Sequence, residues 1–499
     1  MSSQLPAKEV LNYDVLRHIA SLMAPDELAR IKSANSVFFS EHMRTTYTEI
    51  QLHKRDKDMK KLLAHLSDRH VAGWVRRVRI SPWLVQPRTK SPRSRTENLV
   101  VFLSRAIDPH FTEKVAQERL AKRLSKDGDR VTEAFGRMSN VEEYDITWDG
   151  NEQYHPELYQ AYLSPILRLW SNQLKKLTLK IPPAFLDSLA GVRLPNLHSI
   201  CFTFSTGSLT ADEIRIAHTG FVVFINNLDR SLRSLSLVSA NSSENLDLSH
   251  FFHQLGTFPQ LQNLSISIPF DGGQLADPMT LVLFLEKHRR DLRELNLYTS
   301  VLSRRREGSH PPQLEWIQFI LEAFQQPFPH LRSLGVALRP LRHPLNTLVR
   351  FLDMHTALKS LKLLDRSLTS HELESLFRTP GAGPLLASSL DTLYMKVDSL
   401  DPRILNSITQ LLPNLESLSI ESNMVSSRRD TPDPWGKRVS RLSDHSSASS
   451  SDIMLRSLSL AMPNFNSVQH LQPYLQQHFP QIKPNHLQAC SLPHGQFIY

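Results

Sequence analysis

The hexapeptide Leu358-Lys-Ser-Leu-Lys-Leu363 decides the fold, because nine further copies of its pattern, apolar-x-x-apolar-x-apolar, occur in this chain. The other copies begin at Leu174, Leu197, Leu232, Leu261, Leu292, Leu331, Leu390, Leu415 and Leu455. Successive copies start 23 to 40 residues apart. A unit of this length that recurs along a chain is typical of repeat proteins, in which each unit packs against its neighbours. Such proteins present long binding surfaces, so the pattern predicts a binding protein.

Each copy predicts one β-strand, and the sequence between copies predicts a helix. The last three positions of a copy, apolar-x-apolar, alternate as a strand does when one of its faces is buried. Between copies, apolar residues recur at helical spacing, and acidic residues or proline stand at several of the predicted helix starts. The predicted helices span residues 214–228, 280–287, 314–324, 345–354, 372–377 and 404–412. Strands and helices that alternate in this way predict an α/β fold with a parallel sheet.

The repeats resemble leucine-rich repeats of the longer, helix-bearing kind. That resemblance implies a horseshoe-shaped solenoid with the parallel sheet on its concave side and the helices on its convex side. The regular Asn that the family carries after the strand is missing here, and the uneven spacing predicts an irregular curve. Two weaker copies, Val75–Ile80 and Val141–Ile146, extend the array, so the solenoid is assigned to residues 70–499. The alternative is an ordinary α/β domain whose strands share this pattern.

The segment before the repeats predicts three short helices. Apolar residues in 11–22 fall on one helical face, Pro25 and two following acids open a second helix, and Asn35 caps a third. Over residues 10–49 this segment resembles an F-box, whose opening Leu-Pro-x-Glu-Val-Leu-x-x-Ile aligns with Leu11-Asn-Tyr-Asp-Val-Leu-Arg-His-Ile19. Asn12 replaces the proline of that pattern, and the Trp of the family's later Val-Cys-x-x-Trp element is missing after Val37.

An F-box implies one partner, the Skp-type adaptor of a cullin–RING ubiquitin ligase. The apolar residues expected to bind the adaptor, some of which also build the helical core, are Leu11, Val15, Leu16, Ile19, Leu28, Ile31 and Val37. An F-box followed by irregular leucine-rich repeats is similar to fungal F-box proteins. The alternative is that residues 10–49 serve only as a cap, because terminal repeats need a cover for their apolar end.

Composition sets two further segments apart from the packed chain. Residues 1–9 are predicted to be a disordered N-terminus. Residues 426–454 are rich in Ser, Pro and charged side chains and have little apolar periodicity, which is typical of disordered sequence. We expect them to form a disordered insertion between the last two repeats.

Charge and cysteine content narrow the partners and the compartment. The formal net charge is +9, but the basic residues are spread along the chain without interleaved aromatic residues, so nucleic acid is not an expected partner. No apolar run reaches the roughly eighteen residues that a membrane span needs, and the N-terminus lacks the pattern of a secretory leader. Two cysteines in the chain give no disulfide framework. We therefore expect a cytoplasmic or nuclear protein that does not enter membranes.

Catalytic and metal-binding motifs are absent from the sequence. Glycine supplies only 16 of 499 residues, and neither a glycine-rich phosphate loop nor a Gly-x-Ser-x-Gly turn occurs. The pairs His65 with His70 and His250 with His253 have no close third ligand in the sequence. We therefore expect no enzyme activity, no metal and no cofactor.

Target binding is predicted on the outward positions of the repeat strands. The candidate residues, chosen because Tyr and Arg commonly anchor interfaces, are Arg293, Tyr298, Lys359, Lys362, Tyr394 and Lys396. Together the patterns predict a non-catalytic substrate receptor, in which the F-box binds the Skp-type adaptor and the repeats bind a protein target of unknown identity. The alternative is a leucine-rich-repeat binding scaffold with no role in ubiquitin transfer.

Overall fold

A computed structural model of the chain describes residues 12–53, 56–81, 110–148, 161–206, 209–239, 243, 245–300, 315–342, 345–377, 386, 388–400, 402–425, 455–461 and 488–489. The chain divides into two compact units, one made of Met1–Phe202 and Thr219–Ser231 and the other of Thr203–His218 and Leu232–Tyr499. The two segments predicted to be disordered, 1–9 and 426–454, lie outside the described residues, as does the predicted adaptor residue Leu11.

The first unit begins with helices α1 (Tyr13–Leu22), α2 (Pro25–Ile31) and α3 (Ser36–Thr48). Parallel strands that pair in chain order follow: β1 (Glu49–Leu52), β2 (Arg77–Ile80), β3 (Glu143–Thr147) and β4 (Lys176–Lys180). Between these strands lie α4 (Lys57–His65), α5 (Arg69–Ala72), α6 (Phe111–Gly136) and α7 (Ser164–Leu169). A 3-10 helix, Pro183–Leu189, comes after β4. Strand β5 (Ser199–Phe204) and helix α8 (Ala211–Asn226) contribute residues to both units.

The second unit continues the alternation of strand and helix. Its parallel strands pair in chain order: β6 (Ser234–Ser239), β7 (Asn263–Pro269), β8 (Glu294–Ser300), β9 (Ser333–Ala337), β10 (Ser360–Leu368), β11 (Thr392–Leu400), β12 (Ser417–Val425), β13 (Ser457–Ala461) and β14 (Gln488–Ala489). Its helices are α9 (Leu248–Gln254), α10 (Pro278–His288), α11 (Trp316–Ala323), α12 (Asn346–Met354), α13 (Ser370–Phe377) and α14 (Pro402–Leu411). The predicted α/β fold with a parallel sheet is confirmed, and its repeats are arranged one after another.

The apolar positions of the repeated hexapeptide form the core. In the copy that decides the fold, Leu358, Leu361 and Leu363 are all fully buried, whereas Ser360 and Lys362 between them are half-exposed. The leucine face of the sheet is therefore covered, and the other face is polar. Full burial of one Leu side chain stabilises the fold by about 1.5 to 3 kcal/mol, so the recurrence of the pattern fixes which face of every strand is inside.

A buried histidine joins two consecutive repeats in the second unit. His288, the last residue of α10, donates from Nδ1 to the carbonyl of Phe284 at 2.7 Å. Its Nε2 accepts the backbone N–H of Phe258, which precedes β7, at 2.9 Å. Only the neutral imidazole has one donor and one acceptor, so this arrangement requires an uncharged ring. Burial lowers the pKa of His288 and favours that form.

The same arrangement recurs at His355, which follows α12. Its Nδ1 donates to the Phe351 carbonyl at 2.6 Å, and its Nε2 accepts the N–H of Phe328 at 2.9 Å. Burial lowers the pKa of this imidazole as well. Each histidine thus accepts a hydrogen bond from a buried backbone N–H in the loop before a strand. That N–H is outside the sheet, so it would otherwise have no partner.

The sheet begins earlier in the sequence than residue 70, where the repeats were predicted to start. Strand β1 pairs in register with β2, from Glu49 with Arg77 to Leu52 with Ile80. The strand fits the hexapeptide pattern as Tyr47-Thr-Glu-Ile-Gln-Leu52, with a buried Tyr47 in place of the leading Leu, and it follows α3 without a break. It was not among the predicted copies.

Candidate protein-interaction surfaces

Apolar side chains are exposed on the N-terminal helices. Val15, Ile19 and Leu22 of α1 lie at helical spacing and are exposed, with Ile19 at 40% and Leu22 at 74%. Phe39 of α3, a helix that packs against α1, is exposed too. We call these four residues the N-terminal apolar surface. Clustered exposed apolar residues in a small helical segment mark a protein-binding site more often than isolated ones do.

The other faces of these helices form a small core. Two of the predicted adaptor residues, Leu28 and Val37, are buried and belong to the part of the set that builds the helical core. Leu16 and Ile31 are half-buried. The buried carboxylate of Glu41 ties α1 to α3, because it accepts from Arg17 Nε at 3.1 Å and pairs with Arg44 at 2.7 Å.

The polar face of the first unit's sheet neutralises its own charges. Arg77 of β2 pairs with Glu143 of β3 at 3.0 Å and lies 3.9 Å from Glu49 of β1. Arg79 pairs with Glu49 at 3.3 Å and with Asp145 at 4.0 Å. Opposite charges that face each other across strands stabilise a sheet. On β1, β2 and β3 these charged side chains are therefore engaged within the sheet.

The polar face of the second unit's sheet carries a row of residues in register. The row runs from Ser236 of β6 through Ser265, Asn296, Gly335, Lys362, Tyr394 and Ser419 to Ser459 of β13. Neighbours in such a row are about 4.8 Å apart, so their side chains meet. The predicted target residues Lys362 and Tyr394 are therefore adjacent on this face.

Tyr298 lies on the predicted face of β8, but it is buried there, whereas a target-binding residue was expected to be exposed. The side chain is only 9% exposed, and its hydroxyl donates to Asn296 Oδ1 at 2.8 Å. Asn296 in turn donates to Glu294 at 2.9 Å. The tyrosine folds down because Gly335 on the neighbouring strand has no side chain: a Cβ there would meet the Tyr298 hydroxyl and ring edge. A partner can reach at most the rim of this ring.

We expect Gly335→Ala to displace Tyr298 and to break its hydrogen bond to Asn296. The added methyl would overlap both side chains, and overpacking of this kind costs about 1 to 3 kcal/mol. Urea unfolding of the full chain measures the loss. Gly136→Ala at the end of α6 is the matched control, because nothing lies within 4 Å of the Cβ position there. Equal stability of the two variants would contradict the account of Tyr298.

Tyr394 and Lys396 share one carboxylate on the next strand. The Tyr394 hydroxyl donates to Glu421 Oε2 at 3.1 Å, and Lys396 Nζ donates to Glu421 Oε1 at 2.7 Å. Burial first, and then the Glu421 carboxylate, raise the pKa of Tyr394 to about 12. The phenol therefore stays protonated at neutral pH and remains a donor. These two predicted target residues are held by the protein itself, with the carboxylate between them.

The remaining predicted target residues differ in what they contact. Lys359 is exposed and pairs with Asp391 at 3.3 Å. Arg293 is exposed and Lys362 is half-exposed, and neither has an ion-pair partner among the described residues. Of the predicted set, these two cations are the ones that a ligand can bind without breaking an internal ion pair.

Three further residues belong to this surface and were not predicted. Arg332 occupies the same position in its repeat as Arg293 and Lys359, so alignment of the copies could have found it. Glu421 could have been found in the same way, because it follows its strand's last apolar position as Lys396 does. For Asp365, alignment of the repeats gives no such indication. It adopts φ 76°, a left-handed conformation that Asp tolerates, where the register of β10 with β11 shifts.

The described residues hold no group of three or more His, Cys, Asp or Glu side chains placed to bind a metal ion. The histidines of the sequence pairs have other contacts, such as His65 with the Tyr47 hydroxyl at 2.5 Å and His70 against Trp74. Within the same residues, no helix has the length and apolar character needed to cross a membrane.

The sequence matches no protein-family model, and no curated protein matches it either.

Proposed function

We propose that this chain is a non-catalytic substrate receptor of a cullin–RING ubiquitin ligase. In this proposal α1, α2 and α3 act as an F-box that binds the Skp-type adaptor, and the repeats are a leucine-rich-repeat solenoid that binds a protein target. The observation that carries the proposal is the N-terminal apolar surface. Exposed apolar side chains on helices that precede a repeat array are what adaptor docking requires, whereas a simple cap would turn them inward.

The sheet face of the second unit supports the other half of the proposal. It presents tyrosine, arginine and lysine among small serine side chains, a composition suited to protein recognition. The receptor would act by proximity. Binding of a target to the repeats raises the effective concentration of its lysines near the ubiquitin-carrying enzyme that the ligase supplies. We place this function in the cytoplasm or nucleus.

Co-expression with a Skp-type adaptor tests the proposal. We expect the full chain and the adaptor to elute together from gel filtration as a stable complex. Separate elution at micromolar concentration would contradict the ligase role. It would favour instead a repeat protein that binds partners without ubiquitin transfer, with the N-terminal helices as its cap.

A further inference from the structure

Helix α6 carries a stripe of cations along one flank. Arg119, Arg123, Lys126 and Arg130 recur at intervals of three and four residues, which places them on one side of the helix. Arg123 is half-buried and the other three are exposed. Within the described part of the chain, none of the four takes part in an ion pair or a hydrogen bond. The helix therefore presents a row of cations that has no internal counter-charge.

The stripe lies on the flank of α6 that faces α4. On the opposite flank, a Cβ at Gly128 would lie 3.8 Å from the Cβ of Ala161, which precedes α7. On the flank of the stripe, Arg137, which follows α6, donates from its guanidinium to the carbonyl of Ser67, which follows α4. Helices α4 and α6 are themselves in contact. The stripe therefore runs beside α4.

Helix α4 adds two cations on the side that faces α6. Its residues Asp58, Leu62 and His65 line a groove beside β1, so that flank of α4 points away from α6. Lys57 and Lys60 lie on the other flank and are exposed. Neither lysine forms an ion pair with another described residue. We call these two lysines and the four cations of the α6 stripe the basic patch.

The two helices bring these cations to the same level. They run in the same direction, because each follows a strand of a parallel pair. The hydrogen bond of Arg137 aligns their C-terminal ends. Counting back from that bond at about 1.5 Å per residue puts Lys57 beside Lys126 and Lys60 beside Arg130. The remaining cations of the stripe extend the patch along α6 to a length of about 16 Å.

Acidic residues near the basic patch do not neutralise it. Glu118 and Asp129 are exposed on α6, and neither forms an ion pair within the described residues. Asp56 caps α4, where its carboxylate accepts a backbone N–H of that helix at 2.8 Å. Glu133 pairs with Arg137 at 2.8 Å, outside the patch. The six cations therefore outnumber the nearby acids, and the patch keeps a positive charge.

The patch lowers the stability of the chain that carries it. Arg119 with Arg123, and Lys126 with Arg130, are like charges four residues apart on one helix, an arrangement that destabilises the helix. The two lysines of α4 add further positive charge on the same side. A bound anion would remove this repulsion.

The phosphate backbone of a nucleic-acid duplex fits the patch in length and in chemistry. One strand of a duplex presents a phosphate about every 3.4 Å, so about five phosphates span the stripe. Contacts to phosphate need long cationic side chains and no pocket. The described residues of α4 and α6 include no exposed large apolar side chain, which a protein partner would use as an anchor and a membrane would take up.

We propose that the basic patch binds the phosphate backbone of duplex nucleic acid without reading its sequence. Nucleic acid was not expected from the amino-acid sequence, because the basic residues are spread along it without interleaved aromatic residues. The fold brings six of these residues together. Aromatic residues stack on the bases of single strands, whereas contacts to a duplex backbone need only charge. The patch is separate from the N-terminal apolar surface and from the repeat strands that carry the proposed receptor function.

Fluorescence anisotropy of the full chain with a labelled DNA duplex of about twenty base pairs tests the inference. We expect saturable binding that weakens with salt, with a slope of about −5 when the logarithm of the binding constant is plotted against that of the KCl concentration. Substitution of both Lys126 and Arg130 by Gln should make this slope shallower by about 2 and weaken binding at least about tenfold at low salt. Glutamine is a good helix former, so α6 should persist, which circular dichroism checks.

Substitution of both Arg332 and Arg350 by Gln is the matched control. These arginines of the second unit are exposed and have no ion pair among the described residues, so the change removes the same charge outside the patch. The slope and the affinity should equal those of the unaltered chain. Absence of binding, an unchanged slope in the Lys126 and Arg130 variant, or equal affinity for a polyglutamate peptide would each overturn the inference. Co-sedimentation with phosphatidylserine vesicles that saturating duplex does not reduce would overturn it too.

Discussion

Substitution of both Ile19 and Leu22 by Asp should abolish binding of the Skp-type adaptor. The two side chains are 40% and 74% exposed, so neither belongs to the buried core of the helices. In the complex, each new carboxylate would be buried without a partner, at a cost of several kcal/mol. We expect an affinity loss of at least about 100-fold, measured by titration calorimetry with purified adaptor. Circular dichroism checks that the variant remains folded.

Ile216→Asp provides the control for this experiment. Ile216 of α8 is 71% exposed and is as apolar as Ile19, but it lies outside the N-terminal helices. This variant should bind the adaptor as the unaltered chain does. Unchanged affinity in the double variant would remove the N-terminal apolar surface from the adaptor contact. An equal loss in both variants would show a general effect of added charge.

Mild acid should destabilise the second unit substantially. Burial lowers the pKa of His218, which packs against Phe204 and Phe251, from 6.5 to about 4. It also lowers the pKa of His288 and His355. A lowered folded-state pKa means that the unfolded chain takes up protons first as the pH falls. The stabilisation is therefore complete above about pH 6.5 and is lost as the pH falls towards 4.

His218 alone should account for about 2 kcal/mol of lost unfolding free energy at pH 5. His288 and His355 add to this, because protonation of Nε2 turns an acceptor into a donor that faces a backbone N–H. Urea unfolding at pH 7 and pH 5 measures the difference.

His218→Leu should remove the part of this pH dependence that His218 carries, since its buried Nε2 has no hydrogen bond to lose. His330→Leu, at an exposed position, should leave the dependence unchanged. A free energy of unfolding that is equal at the two pH values in the unaltered chain would contradict the neutral, buried state of these histidines.

The strands were predictable because their sequence pattern is also their burial pattern. Every hexapeptide puts its last two apolar residues on the covered face, and a slip of one residue would reverse all of them. The six repeat helices predicted from 3.6-residue spacing have ends within a few residues of those observed, such as 280–287 for Pro278–His288, whereas α6 (Phe111–Gly136) and α9 (Leu248–Gln254) were not predicted.

The placement of side chains on the polar face of the sheet was less predictable, because it depends on residues of neighbouring strands. Tyr298 lies on the polar face, as the alternation predicts, yet its side chain is buried. Its ring lies in the space left by Gly335, which has no side chain and is far away in the sequence. The same limit applies to α1, where Val15, Leu16, Ile19 and Leu22 share one predicted face. Packing against α3 decides that Leu16 is half-buried and Leu22 exposed, and the spacing does not contain that information.

Hydrogen–deuterium exchange of the full chain, with and without the Skp-type adaptor, tests the central claim most directly. The claim is that adaptor and target use separate surfaces. We predict that the adaptor slows exchange in residues 13–48, which span α1, α2 and α3, and leaves β8 to β11 unchanged. Adaptor-induced protection in the repeat strands, or none in α1 and α3, would contradict the account.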